Sequence, residues 1–197
     1  MTRLAAFLAF LLVPAVSHAT EYKADTSHSQ VGFEVTHLMM SKVRGYFDAF
    51  SVDLSYNPKE PKKTMLRAEI EVSSINTRHE KRDKDLAGED FFDAANHPIA
   101  VFQSTKVEPT KAGLKMTGDL TMRGITKQVV LDVESITDVY SDPWGNQRRA
   151  AVATTTINRE EWGMVWNKAL ETGGVLVSKE VTIRIEIEMI EKKPEEQ

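Results

Sequence analysis

The chain contains no cysteine. In an oxidising compartment that absence excludes disulfide staples, thiolate metal ligands and a cysteine nucleophile together, so stability has to come from a packed core. A long hydrophobic run is missing too. The one apolar stretch, residues 4–13, is too short for a membrane span, which needs roughly 20 residues. There is no basic excess either: 25 basic residues stand against 29 acidic ones, a net charge of −4. A mildly acidic chain argues against a nucleic-acid partner, which calls for a basic face. Finally, the sequence has no Gly-x-Ser-x-Gly elbow, no phosphate-cradling glycine loop and no His-Glu-x-x-His, which removes the commonest catalytic signatures.

What is present begins with a leader pattern. Arg3, the short apolar run and Ser17-His18-Ala19, with small residues at the two positions a signal peptidase reads, predict cleavage after Ala19 and export. Residues 1–19 are expected as signal peptide and 20–197 as one domain.

The domain's fold class is written most clearly in Val181-Thr-Ile-Arg-Ile-Glu-Ile-Glu-Met-Ile190. Its apolar and polar residues alternate, and successive strand side chains point to opposite faces, so the segment has one dry and one wet face. Similar patterns predict strands near 30–37, 43–56, 64–72, 99–107, 113–122, 127–136, 149–157 and 175–190. The second is well beyond the usual ~5–6 residues, and its parity slips near Ala49-Phe50, which reads as a bulge bending the strand. Between the third and fourth strands, residues 76–98 read as short helical turns that Pro98 stops. Residues 158–170, holding two tryptophans, read as a second non-strand insertion. These features predict an all-β, antiparallel, eight-stranded barrel with short helical insertions. An outer-membrane barrel also alternates, but with its apolar face outward and aromatic girdles at both rims; such girdles are hard to draw here.

An eight-stranded barrel stands at the threshold where the interior is either filled or holds one small guest. Soft, bulky apolar residues (Phe33, Phe47, Phe50, Phe91, Phe92, Phe102, Met116, Met122, Trp162, Met164 and Trp166) exceed what a small plug needs, and such residues line most small-molecule sites. A cavity is therefore expected over a filled core. Polar candidates are weaker. Asp25-Thr-Ser-His-Ser29 holds the residue types of a hydrolase triad but reads as a strand-entry turn, since neighbours in an extended segment point apart. His28, His37, His79 and His97 show no metal-ligand spacing, and Asp83-Lys-Asp85 falls short of a calcium loop. His37 follows Val31, Phe33 and Val35 on one parity, which puts it at the end of an apolar lining.

Ordered motifs then point to a family. His28-Ser-Gln-Val-Gly-Phe-Glu-Val-Thr-His37, Ser41-Lys-Val-Arg-Gly-Tyr-Phe47, Asp90-Phe-Phe-Asp93 with His97-Pro98, and Phe102-Gln-Ser-Thr105 resemble the YceI-like family of exported polyisoprenoid-binding proteins. So do Gly118-Asp-Leu-Thr-Met-Arg-Gly-Ile-Thr126, Asp142-Pro-Trp-Gly145, Ile157-Asn-Arg159 and Leu170-Glu-Thr-Gly-Gly-Val-Leu-Val177. The resemblance implies a lipocalin-like barrel in the periplasm, with an elongated apolar pore holding a polyprenyl quinone, related isoprenoid or fatty amide, and no established catalytic residues. It marks Phe33, Phe47, Phe91, Phe92 and Phe102 as pore-lining. Trp162 and Trp166 stand where relatives often show Phe and Trp.

The expected ligand contacts are Phe33, Val35, His37, Phe47, Phe50, Phe91, Phe92, Phe102, Met116, Leu120, Trp162, Met164 and Trp166. No catalytic residue, metal ligand or resident cofactor is assigned; a bound lipid such as an isoprenoid quinone is the expected guest. The expected partner is a hydrophobic small molecule, with transient contact with a membrane or membrane protein and a homodimer left open. Because a buried methylene contributes ~0.8 kcal/mol and a neutral head-group hydrogen bond nets only ~1 kcal/mol, selection is expected to follow the tail more than the head. The rival readings are a lipid-modifying hydrolase with His28 or His37 as base, and a metal- or haem-linked redox accessory protein.

Overall fold

The computed structural model of the protein describes residues 18–193, Thr172 excepted. The predicted leader lies outside the described residues save for His18 and Ala19. The strands are β1 (Thr20–Ala24), β2 (Gln30–His37), β3 (Ser41–Phe47), β4 (Phe50–Tyr56), β5 (Met65–Glu71), β6 (Ile75–Asn76), β7 (Ile99–Pro109), β8 (Leu114–Met122), β9 (Ile125–Ile136), β10 (Tyr140–Ser141), β11 (Gln147–Asn158) and β12 (Val177–Glu191), with one helix, α1 (Glu80–Ala87), between β6 and β7.

The alternating last strand closes the sheet. One edge of β12 pairs with β11 from Arg148 opposite Ile190 to Asn158 opposite Glu180. Its other edge pairs with β1 near its end and with β2 further back. β1 and β2 are two halves of one strand, separated by a 3-10 turn at Thr26–His28. β3 and β4 are likewise halves of one long strand, pairing with β2 and β1 respectively. With β5, β7, β8, β9, β11 and β12, the two composite strands make an eight-stranded closed antiparallel barrel.

The break between β3 and β4 falls at Asp48-Ala49, where the parity slip predicted a bulge. It is held by Ser74, whose carbonyl accepts from the Asp48 amide at 3.1 Å and whose hydroxyl accepts from the Ala49 amide at 3.0 Å. β1 had no counterpart among the strands expected from alternation. Its three pairs with β12 and four with β4 are contacts to residues far along the chain, and such pairing leaves little local trace.

The apolar faces point inward. On β12, Ile187 and Met189 are buried while Thr182, Arg184 and Glu186 face water. The exterior carries pairs such as Arg184–Glu186 and Lys115–Asp132, the reverse of a lipid-embedded barrel. At one end, here the upper, gather the β2–β3 and β8–β9 hairpins, α1 and the insertion after β11. At the lower end Arg149 lies over Tyr56 and Tyr22, 5.3 and 6.0 Å from the ring centroids, and donates to the Tyr22 hydroxyl at 3.1 Å.

Beside that end, Arg148 joins three segments. It donates to Asp25 at 2.6 Å, to Asp142 at 2.7 Å and to Glu188 at 2.6 Å. Asp25 is held well below the ordinary carboxylate range, first by the Ser27 hydroxyl and then by Arg148 and His28. Burial pushes Asp142 upward, but donors from Arg148 and Asn146 outweigh it and it also ends low. A carboxylate whose folded pKa is depressed stabilises the fold above its unfolded value of 3.8 and loses that contribution as pH falls through the folded value. Arg148→Met should therefore lower the urea midpoint at neutral pH and flatten the decline of stability below about pH 4. Urea titrations across that range check this; an unchanged midpoint and slope would contradict it.

Candidate ligand cavity

The upper half of the barrel is hollow. A cavity of about 830 Å³ opens at the upper end, and its wall follows from strand parity. Val31, Phe33, Val35 and His37 reach it from β2, Val177, Val181 and Ile183 from β12, and Leu120 and Met122 from β8. The roof comes from the two insertions: Leu86, Phe91 and Phe92 from the α1 segment, Met164 and Trp166 from the segment after β11. Below lies a second chamber of about 120 Å³, lined by Leu54, Phe102, Met116, Leu131, Ile185 and Met189 among others. Val31, Ile70, Leu120 and Ile183 belong to the walls of both and form the neck between them.

Aromatic rings pave the upper wall. Phe47 meets Phe33 at a centroid distance of 5.8 Å and Phe92 edge-on at 5.7 Å, and Phe91 meets Trp166 at 5.4 Å, tying the two roof insertions together. Offset and edge-on contacts of this kind hold rings in place. Two glycines let rings lie flat against the wall. A Cβ at Gly45 would collide with Cζ of Phe33, and one at Gly118 with Cζ of Phe102. Any larger residue would push those rings into the lumen.

The structure brings most of the predicted contacts together. Phe33, Val35, His37, Phe47, Phe91, Phe92, Leu120, Met164 and Trp166 line the upper cavity, and Phe102 and Met116 line the lower chamber with Leu120. Two do not reach either. Phe50 opens β4 on the inward parity of Val52 and Leu54 and packs against their cluster, but beside the break at Asp48-Ala49 it borders a shallow polar groove with Asp48, Asn76 and Arg78 rather than either chamber. Trp162 ends a 3-10 turn, is 1% exposed, and packs in the core with its indole N–H donating to the Leu120 carbonyl at 3.1 Å.

Arg159 was missed as a wall residue. It lies 3% exposed and lines the upper cavity. Parity was the available signal, because Arg159 continues the inward series of Ala153 and Ile157 on β11. Its Nε donates to the Ser178 carbonyl at 3.0 Å and its Nη1 to the Met164 carbonyl. Burial pushes the guanidinium pKa down, with Glu160 opposing.

The polar candidates lie apart from one another. His37 is on the cavity wall. His79 caps α1, accepting from the Arg82 amide at 3.2 Å, and His97 stands 3.9 Å from Asp93. The Asp83 carboxylate accepts from the Thr77 amide at 2.8 Å. Asp25, Ser27 and His28 meet in a turn at the entry to β2, as expected, because a 3-10 turn folds them together. The Ser27 hydroxyl donates to Asp25 at 2.6 Å, so its proton is not offered to His28. Asp25, His28 and Glu188 form a cluster of metal-ligand types, but Arg148 already bridges the two carboxylates.

Fold and cavity together define a lipocalin-like β-barrel enclosing an apolar chamber. The chain belongs to the YceI-like domain family, whose model matches residues 22–189. A UPF0312 protein of Staphylococcus aureus strain N315 is 39% identical over 163 residues, covering 82% of this chain and 92% of that protein. A YceI protein of Campylobacter jejuni is 31% identical with a TM-score of 0.68, covering 86% of this chain and 96% of that one. BcnA of Burkholderia cenocepacia shares the fold at 22% identity, with a TM-score of 0.74 over 84% of this chain and 98% of BcnA. So does a polyisoprenoid binding domain from Saccharophagus degradans, at 13% identity and a TM-score of 0.60 over 87% of this chain and 98% of that domain.

Proposed function

We propose that the protein is a periplasmic binding or carrier protein that holds a long-chain amphiphile, such as an isoprenoid quinone, polyprenyl lipid or fatty amide, and performs no chemistry on it. The observation that carries this reading is the pair of adjoining chambers, about 830 and 120 Å³, that share the apolar wall residues Val31, Ile70, Leu120 and Ile183. Apolar sites of that size suit a hydrocarbon, and each methylene buried there contributes ~0.8 kcal/mol. Family membership supports it, as does the shared fold of a domain described as polyisoprenoid-binding. Against a hydrolase with His28 as base, His28 sits in an exposed turn outside both chambers. Exposed Met39 and Met40, on the hairpin that follows His37, support transient contact with a membrane. The leader pattern supports export with cleavage after Ala19.

Mass spectrometry of protein recovered from the periplasm tests both parts. The intact mass should correspond to a chain beginning at Thr20, and an organic extract should contain a long-chain amphiphile in near-stoichiometric amount. Protein that yields no lipid and takes up no added amphiphile would overturn the carrier reading.

A further inference from the structure

Among the described residues, one buried side-chain polar atom has no hydrogen-bond partner: Nη2 of Arg159. Buried polar groups in native proteins are nearly always paired, and a buried charge more strictly so. The rest of this guanidinium is well held. The carbonyls of Met164 and Ser178 fix it from the roof insertion and from the start of β12. Both acceptors are neutral, and the nearby Glu160 carboxylate opposes, without outweighing, the cost of burying the charge. The adjacent carboxylate, Glu160, is committed to Lys179 at 2.9 Å. Among the described residues no carboxylate forms an ion pair with Arg159, although Asp85, Glu89 and Asp90 belong to the same cavity.

A guanidinium is a planar array of donors with no acceptor, and it stays charged. Here one arm of it is left unmet where Val177, Val181, Ile157 and Trp166 share the chamber, while the other charged residues of the lining, Arg82, Lys84, Asp85, Glu89 and Asp90, lie on and just after α1. Such a place suits a molecule with a hydrocarbon body and one oxygen acceptor. Beside Arg159 it disfavours a molecule whose head can only donate.

We propose that Arg159 anchors the head group of the bound amphiphile, and that this head is an oxygen acceptor, a carbonyl or a carboxylate, with the carboxylate preferred. This rests on the carrier reading and sharpens it. The tail still supplies most of the affinity, but the head is selected by type: acceptors are retained and ammonium heads are rejected. A quinone or an amide would offer its carbonyl to Nη2, and a fatty acid its carboxylate.

The test uses the full mature protein and chains of identical length ending as acid, amide, methyl or amine, titrated separately. The acid should bind about tenfold or more tighter than the methyl-ended chain, the amide between them, and the amine most weakly. Arg159→Met should remove the advantage of acid and amide while leaving the methyl-ended chain within about threefold. Should that variant fold poorly, the side-chain Nε–H resonance of Arg159 in the parent protein gives a second readout. It should shift on adding acid or amide and stay put with the methyl-ended chain. Equal affinity for all four heads in the parent, or an unmoved Arg159 resonance, would overturn the anchor while leaving the carrier reading intact. Failure of every chain to bind would overturn the carrier reading and the anchor with it.

Discussion

Ile183→Trp will divide ligands by tail length. Ile183 belongs to the walls of both chambers, so an indole there closes the neck while the larger upper space accommodates its bulk. A short tail, seated wholly above the neck, should bind within about twofold of its affinity for the parent. A long tail loses whatever it threads into the lower chamber. If about four methylenes are displaced, at ~0.8 kcal/mol each, the loss is ~3 kcal/mol, or roughly two-hundredfold in affinity. Titration of a chain-length series against parent and variant separates the two regimes. Long tails that bind both proteins equally would show that the lower chamber is not part of the site.

Trp162→Ala should cost the fold more stability than Arg148→Met or Arg159→Met. Trp162 is 1% exposed and packs with Leu120, Met122 and Met164 while its indole donates to the Leu120 carbonyl. Removing a buried tryptophan costs about 3–5 kcal/mol, a large share of the ~5–15 kcal/mol that holds a typical domain folded. Trp162→Phe keeps most of the packing and loses the hydrogen bond, so about 1 kcal/mol is expected. Urea unfolding of the two variants gives both figures. A near-zero loss for the alanine variant would mean that Trp162 does not secure the insertion to the barrel.

These two residues also show what the sequence discloses. Period-2 alternation placed Ile183 and its neighbours on an inner face, because a strand's side chains must alternate and only one face can be dry. The same rule fixed the eight strands and the break near Ala49. It worked for Phe33, Val35, His37 and Phe47, which sit within uninterrupted strands. It also set Phe50 on the inward face with Val52 and Leu54, but parity does not say how far a chamber extends, and Phe50 packs against the core outside both. It could not reach Trp162, since a 3-10 turn obeys neither strand nor helix period. Arg159 is legible by parity, although its charge argues against a place on an apolar face. The Arg148 hub was beyond reach altogether: its partners Asp25 and Glu188 are 123 and 40 residues away along the chain, and only closure of the barrel brings them together.

The account depends on a hydrocarbon lying inside the barrel, along the line from Trp166 at the mouth to Met189 below the neck. A long-chain fatty acid carrying a nitroxide at successive positions reports that placement directly, through paramagnetic broadening of methyl resonances. As the label moves along the chain, broadening should pass between Leu176, near the mouth, and Leu120, Ile183 and Met189 further in. Broadening confined to exposed methyls such as those of Met39 and Met40, with the inner methyls sharp for every label position, would contradict it.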